Sequence, residues 1–279
     1  MIMKYEIKDN KIFIHGLEDF RASHILECGQ IFRFKKHDDG SYTVYFGKNY
    51  ATIHEKDDMA VIESSDARAA EEFFDLKRDY GLIKKQLERH EILKEGMQKG
   101  YGIRLLKSGS EEMIFSFIIS ANNNIKRIQK IIEKLSELGD DMGDYHAFPT
   151  AEQIAGASDE FLESLHAGYR TPYLKATAKQ LLNVDLTEKA KLSTSELKKW
   201  LVSLKGVGPK VASCIVLFGF GRWDTFPVDT WIEKVYKEKF FAGEKSRPEI
   251  EKHFLQLFGE DVSGIVQQYL FFAQRENRE

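Results

Sequence analysis

With 279 residues, 42% of them hydrophobic and 30% charged, the chain is long enough for two modest domains with separate cores and carries no signature of disorder. No apolar run approaches the roughly 20 residues of a membrane span, and the opening MIMKYEIKDNK lacks a signal-peptide core, so a cytoplasmic protein is expected. Two cysteines, Cys28 and Cys214, cannot hold a four-thiolate cluster, and no Cys-x-x-Cys or close histidine pair suggests zinc, so neither a metal nor another cofactor is expected.

A net charge of −3 argues against a nucleic-acid partner until its distribution is considered. Met113–Ile132, Leu165–Val184 and Leu197–Trp223 together hold 67 residues without one Asp or Glu, where the chain's average would put about ten. Lys126, Arg127, Lys130, Arg170, Lys175, Lys179, Lys198, Lys199, Lys205, Lys210 and Arg222 lie in those windows. Converging on one face, they would make a phosphate-binding footprint. Buried apolar helices would also exclude acids.

Residues 4–63 alternate apolar and polar in strand-like runs, Tyr5–Ile7, Ile12–Ile14, Phe32–Phe34, Tyr42–Phe46, Tyr50–Ile53 and Met59–Ile62, which predicts an antiparallel meander. Leu26–Phe32 breaks the pattern with Gly29, by itself the mark of a bulge. From Ala67 the period becomes helical, and Leu76–Gly100 carries Leu82, Ile83, Leu87, Ile92, Leu93 and Met97 at helical spacing. Gly100 and Gly102 then place a boundary near 102. The expected class is α+β, with an antiparallel β-sheet domain and helical C-terminal part over 1–102 and an all-α domain over 103–279. Ser108-x-x-Glu111 reads as a capping box for a helix Glu111–Ser120, which Asn122-Asn123-Asn124 interrupts before an amphipathic helix on Ile125, Ile128, Ile132 and Leu135. Glu137–Asp144 reads as a solvated loop and Phe148-Pro149-Thr150 as the start of another helix. Lys234–Gly243 and Pro248–Phe258 look helical, and a last helix begins around Asp261, with Ile265, Gln267, Tyr269, Leu270 and Phe271 mostly core on spacing alone.

The stretch Leu201–Ile232 combines a phosphate grip, a nucleophile and a carboxylate. Leu197, Trp200, Leu201 and Leu204 form one face of a helix, Lys205-Gly206-Val207-Gly208 is a glycine turn, and Pro209 suits the first position of a second helix. This helix-hairpin-helix spans about 197–222. The amides at its second helix's start, those of Gly206, Gly208 and Val211 among them, would bind a DNA backbone phosphate without reading sequence; a plain helical hairpin would use the same glycines. Lys210 stands in the first turn, with Cys214 one turn on along the same face. As a nucleophile it would need burial to bring its pKa from about 10.4 toward about 7–8. Asp229, after Pro227-Val228, sits where an N-cap belongs, and an amide-held carboxylate suits stabilising a developing cation.

GVGPK followed by PVD resembles the helix-hairpin-helix DNA glycosylases, and the lysine places the resemblance with the bifunctional members, which remove a base and cleave the abasic site. Cys28-Gly29-Gln30-Ile31-Phe32 resembles the Gly-Gln-x-Phe element of the 8-oxoguanine glycosylases, and FSFI-x-S-x-NNNI, ending in Asn122–Ile125, is a strong local match. The resemblance runs from Cys28 to Phe271. It implies that Asn122 fills the space left by an extruded base, that Arg127 lies near the opposite-strand base, and that Tyr169 and Arg170 wedge the duplex and contact the estranged base. Gly29 would accept the extra ring hydrogen of 8-oxoguanine, Gln267 would read its pairing edge, Phe271 would stack on it, and a Lys210–Cys214 dipole would oppose that of the base. A monomer acting on double-stranded DNA is implied. Trp231 departs from the family by standing where eukaryotic relatives have a phosphate-binding histidine, and Ala121 replaces a serine. Two other readings are a glycosylase for a different lesion and a non-catalytic DNA-binding module in which Asp229 is only a cap.

Overall fold

A computed structural model describes residues 3–240, 243 and 245–276. The first half contains β1 (Lys4–Lys8), β2 (Lys11–His15), α1 (Ala22–Leu26), β3 (Phe34–Lys36), β4 (Tyr42–Phe46), β5 (Asn49–Lys56), β6 (Met59–Ser64), α2 (Ala67–Phe73), α3 (Tyr80–Leu87) and α4 (Lys94–Lys99). The second contains α5 (Ser110–Ser120), α6 (Ile125–Ser136), α7 (Ala151–Gly156), α8 (Asp159–Ser164), α9 (Thr171–Leu181), α10 (Leu186–Lys189), α11 (Thr194–Val202), α12 (Pro209–Gly219), α13 (Thr230–Phe240), α14 (Arg247–Phe258) and α15 (Ser263–Glu276). Residues 241 and 242, the end of the expected Lys234–Gly243 helix, lie outside the described residues. No helix among the described residues is long and apolar enough to cross a membrane.

The strands form one antiparallel sheet in the order β1-β2-β6-β5-β4-β3, which is not a plain meander. The chain leaves β2, makes α1 and joins the far edge as β3, so β2 pairs with β6, Ile12 opposite Ile62. Sequence reading missed α1 because its N-cap, Arg21, makes no side-chain cap bond, and five residues show little periodicity. β3 begins at Phe34; Phe32, expected in the strand, turns into the helical core against Phe117, with ring centroids 5.9 Å apart. One core lies on the sheet, where Phe73 of α2 stacks on Phe46 at 4.2 Å and Phe20 meets Phe74 at 5.7 Å.

The second core surrounds α5 and α12, whose Met113–Ile119 and Val211–Phe218 are buried on every side, as central helices must be. The expected helix Leu76–Gly100 is two helices, separated by a 3₁₀ turn at Glu91–Leu93. Both pack into this second core, through Tyr80 and Leu87 of α3, Leu93 of the turn and Met97 of α4. At Gly96 a Cβ would lie 2.5 Å from the Tyr269 carbonyl oxygen, so α4 meets α15 backbone to backbone. The cores meet at Arg104, which is fully buried and donates to the carbonyls of Phe74 and Asp19 at 3.0 Å, and to that of Asp75, with its guanidinium 4.1 Å from the Tyr80 ring centroid. Burial lowers its pKa, and the carbonyls satisfy the charge that burial would otherwise leave bare.

Ser108 is a decoy cap. α5 starts one residue later than a Ser108 cap would place it, after Gly109 and without a side-chain cap, while Glu111 accepts the Ala151 amide at 2.6 Å and so ties α5 to α7. The capping boxes at Thr150/Gln153 and Ser193/Glu196 open α7 and α11.

Candidate active site

α11 and α12 form the expected hairpin. The turn is held from α9, where Thr177 Oγ1 donates to the Lys205 carbonyl at 2.7 Å and Gln180 accepts the Lys205 amide at 2.9 Å. The two glycines do different work. Gly206 sits at φ +80°, and a Cβ there would lie 2.8 Å from Tyr173 Cβ. Gly208, which sequence reading gave the same freedom, caps α12 at φ −91° and needs no positive φ; its Cβ position is open space. No side chain caps α12. The amides of Gly208, Lys210 and Val211 therefore face outward at the positive end of the dipole, a site for an anion.

Lys210, half-buried, is hydrogen-bonded to Cys214 one turn along α12 and lies within electrostatic reach of Asp229 and Arg247. Asp229 caps α13, accepting the amides of Trp231 at 3.0 Å and Ile232 at 2.9 Å. The Lys210 ammonium is raised above the usual lysine range, by Cys214 first and against burial, with Asp229 adding to the rise. This reverses the expectation that burial lowers it: a carboxylate and a sulfur face the amine. The Cys214 thiol is itself raised by burial and is neutral at pH 7, so there the sulfur acts as a dipole and Asp229 as the full charge. Arg247, which nothing in the sequence singles out, bonds Glu233 at 2.9 Å, and its charge opposes protonation of Lys210.

A second cluster forms around Gly29, at φ +80°, whose Cβ would lie 3.7 Å from the ring of Phe271 on α15. Gln30, buried, donates to the carbonyls of Ile25 and Arg104, each at 2.8 Å, and accepts the Leu106 amide at 2.9 Å. On the other side Arg275 donates to the Glu27 carbonyl. The Gly29 turn is thus clamped to both halves of the molecule. Gln267, one turn before Phe271, is buried. From this turn an aromatic row runs to α12: Phe32 meets Phe117 edge-on, and Phe117 stacks on Phe218 with centroids 5.5 Å apart.

A third cluster lies at the end of α5. Asn123 Nδ2 donates to the Ile119 carbonyl at 3.1 Å and Asn124 caps α6 through the Arg127 amide at 3.0 Å, so two of the three asparagines serve helix ends. Asn122, exposed and at φ +49°, is left to project. Tyr169, 54% exposed, donates to the Ala121 carbonyl at 3.2 Å. That bond needs only the backbone of Ala121, so the missing serine does not affect it. Arg170, which the resemblance sets against the estranged base, is 3% exposed, donating to the carbonyls of Ala121 (2.9 Å), Asn122 (2.7 Å) and Ala167 (3.2 Å) and stacking on Tyr169 at 4.3 Å. Arg127 remains exposed and donates to the His166 carbonyl at 2.8 Å. Tyr173, 6.1 Å from Tyr169 and packed on Gly206, connects this cluster to the hairpin.

The acid-free windows are partly explained by internal bonds. Lys175 pairs with Asp159 and Lys198 with Glu251, both at 2.5 Å, and Arg222 donates to the Ala190 and Leu192 carbonyls at 2.6 Å. Lys126, Lys130, Lys179, Lys199 and Lys205 remain exposed.

Residues 115–260 match the model of HhH-GPD superfamily base excision DNA repair proteins, more than half of the chain. The chain belongs to that superfamily. Residues 12–114 match the N-terminal domain of 8-oxoguanine DNA glycosylase. The chain is 34% identical to a structure described as MBOgg1 in complex with a low-affinity DNA ligand, with a TM-score of 0.91 and full coverage of both chains. It is 35% identical, with the same TM-score and coverage, to the Clostridium acetobutylicum 8-oxoguanine glycosylase/lyase bound to DNA with cytosine opposite 8-oxoguanine. The N-glycosylase/DNA lyase OGG1 of Arabidopsis thaliana is 33% identical over 62% of this chain, an alignment spanning about half (52%) of that relative's length. The hairpin of this HhH-GPD member, its lysine and its capping aspartate were legible from spacing. Arg104, Arg247 and the aromatic stack were not, because each acquires its meaning from partners far off in sequence.

Proposed function

We propose that the protein removes 8-oxoguanine from duplex DNA and cleaves the abasic site it creates. The observation that carries this reading is the placing of the Lys210 amine and the Asp229 carboxylate within electrostatic reach, beside a helix start whose amides no side chain caps. A base inside the duplex cannot be reached, so the nucleotide is extruded at a cost of a few kcal/mol. Phosphates on the amides of Gly206, Gly208 and Val211 and the projecting Asn122 and Tyr169 offset that cost, with Arg127 beside the opposite strand. Arg170 holds the Asn122 turn in shape.

The Lys210 amine, once deprotonated, attacks the anomeric carbon. A nitrogen–carbon bond forms as the bond to the base breaks, the base leaving with the electron pair. Asp229 stabilises the positive charge that grows on the sugar. One proton passes from the nitrogen to the ring oxygen as the sugar ring opens, which leaves a protonated Schiff base, and loss of a proton from the neighbouring carbon then expels the 3′ phosphate by β-elimination. Selection falls to the other cluster: Gly29 accepts the ring hydrogen that guanine lacks, Gln267 reads the pairing edge, Phe271 stacks on the base, and the Lys210–Cys214 dipole opposes that of the base. One hydrogen bond provides only about 0.5–1.5 kcal/mol, so the unpaired acceptor facing guanine adds to the discrimination.

Borohydride trapping on a duplex containing 8-oxoguanine tests the assignment. A covalent band with the wild type that disappears in Lys210→Gln is expected, and no band with the wild type overturns it. A panel of other damaged bases separates this reading from a glycosylase for a different lesion.

A further inference from the structure

Arg247 opens α14, directly after the Ser246 cap, and its Nη2 donates to Glu233 at 2.9 Å. Glu233 lies one turn into α13, where its amide donates to the Asp229 carbonyl at 2.9 Å. The guanidinium is thereby set beside the start of α13, within electrostatic reach of both Asp229 and Lys210. A cation in the first turn of α14 opposes the helix dipole, whereas Glu233 in the first turn of α13 is favoured by it and needs no counter-ion. The pair is also open to water, with 45% of the Arg247 side chain and 29% of the Glu233 side chain exposed, and such pairs contribute little to stability. Stability alone therefore gives no reason for an arginine here. Glu233 takes one N–H of a group that carries five, and among the described residues Arg247 makes no other hydrogen bond.

The nucleotide whose sugar reaches Lys210 carries a phosphate on each side. The amides at the start of α12 take one of them. The other is left to the α13 side of the site, where Asp229 and Glu233 are both negative and would repel it. A guanidinium is always charged and pairs a phosphate through two parallel N–H bonds, and Arg247 holds one against these two carboxylates. We propose that Arg247 is a DNA-contact residue that grips the second phosphate flanking the extruded nucleotide, with Glu233 orienting it. The inference rests on the proposed function, which puts the reacting sugar at Lys210.

The test is a binding cycle at neutral pH on duplexes carrying an uncleavable abasic analogue, where no bond to the sugar forms and Lys210 is charged with or without Arg247. Arg247→Gln should weaken binding about tenfold and make the slope of log K against log salt shallower by up to about 0.9, whereas Arg247→Lys, which keeps the charge, should lose about threefold. Each phosphate flanking the analogue is then replaced by a neutral methylphosphonate. At one of the two, the replacement should weaken wild type about tenfold and Arg247→Gln less than about twofold, because both changes remove the same contact. Should Arg247→Gln fold poorly, Arg247→Met takes its place in the cycle. Equal losses in wild type and variant at both phosphates, or an unchanged salt slope, overturn the proposal and leave the glycosylase reading intact. A wild type that binds the analogue no more tightly than undamaged duplex overturns that reading and this inference with it.

Discussion

Replacing each hairpin glycine by alanine should separate folding from DNA binding. At Gly206 the new methyl stands in the left-handed region, costing about 1–2 kcal/mol, and lies 2.8 Å from Tyr173 Cβ, too near the backbone to swing away. Overpacking of that kind adds about 1–3 kcal/mol, so Gly206→Ala should lose roughly 3 kcal/mol. At about 2 °C per kcal/mol for a chain this long, the melting temperature falls by about 6 °C. Gly208→Ala meets nothing within 4 Å at a φ of −91°, so stability should stay within about 1 kcal/mol of wild type. Its methyl instead occupies the space in front of the α12 amides, where the phosphate must approach. Affinity for a duplex carrying an uncleavable abasic analogue should drop about tenfold. The slope of log K against log salt should become shallower by up to about 0.9, one phosphate contact. Calorimetry and fluorescence anisotropy across a salt series read the two quantities separately. Gly208→Ala that melts as early as Gly206→Ala, or binds DNA with wild-type affinity and slope, refutes the division between a structural and a binding glycine.

Four further outcomes follow from the geometry. Lys210 is raised above the ordinary lysine range, so the single-turnover excision rate should climb with pH through neutrality; because the Arg247 charge pulls that pKa down, Arg247→Gln should move the profile to higher pH, and an unmoved profile refutes the coupling. The His24 ring is held down to about 4, by burial first and then by Arg21, against an ordinary 6.5. The unfolded ring takes up a proton that the folded ring refuses, so stability is full above about pH 6.5 and falls toward pH 4, by about 1–2 kcal/mol after allowing for partial exposure; His24→Gln should flatten that part of the acid-unfolding curve, and an unaltered curve refutes it. Burial pushes the Cys28 thiol up to about 12, so a thiol reagent at pH 8 should leave it unmodified in the native protein and label it after unfolding, with labelling of the native form as the refuting result. Arg170→Met strips the Asn122 carbonyl of its Arg170 donor and leaves that of Ala121 with only the Tyr169 hydroxyl, and should weaken binding to abasic-analogue DNA about tenfold while leaving affinity for undamaged duplex unchanged; equal loss on both duplexes would contradict its assignment to the Asn122 turn.

The features readable from the sequence were those whose causes are local. The α11–α12 hairpin announces itself through the Leu197–Leu204 face, Gly206 and Pro209, and α7 through Phe148-Pro149-Thr150, because a helix start or a turn is settled within a few residues. The same local logic misled at Ser108, where a matching pattern lost to Gly109 once Glu111 found the Ala151 amide 40 residues away. It could not reach the pairing of β2 with β6, a choice made by where α1 delivers the chain. Nor could spacing show that Arg170 turns inward, since its acceptors lie 48 and 49 residues upstream. The direction of the Lys210 shift was misjudged for a related reason. Burial can be read from the apolar residues after Lys210, whereas the opposing pull, from Cys214 first and then from Asp229, depends on how closely the folded side chains approach the amine.

The arrangement of the clusters bears on how the two steps of the reaction depend on one another. Lys210, Cys214 and Asp229 stand on α12 and α13, inside one core, and the hairpin that presents the sugar to them is braced by α9 of the same core. The turn bearing Gly29 arises from the sheet half and reaches Phe271 only because Gln30 bonds the Arg104 carbonyl and Arg275 bonds that of Glu27. Under the proposed roles of these residues, attack on the sugar needs one core intact, whereas choosing the base needs two cores held in register. On that assignment a loosened junction between the halves degrades selection before it degrades chemistry, because polar atoms that read a base must meet it to within a few tenths of an ångström for their bonds to count. In a repair enzyme that asymmetry favours a rigid junction over a hinge, and the fully buried Arg104, shared among carbonyls of the sheet half and stacked on Tyr80 of the helical core, is such a junction.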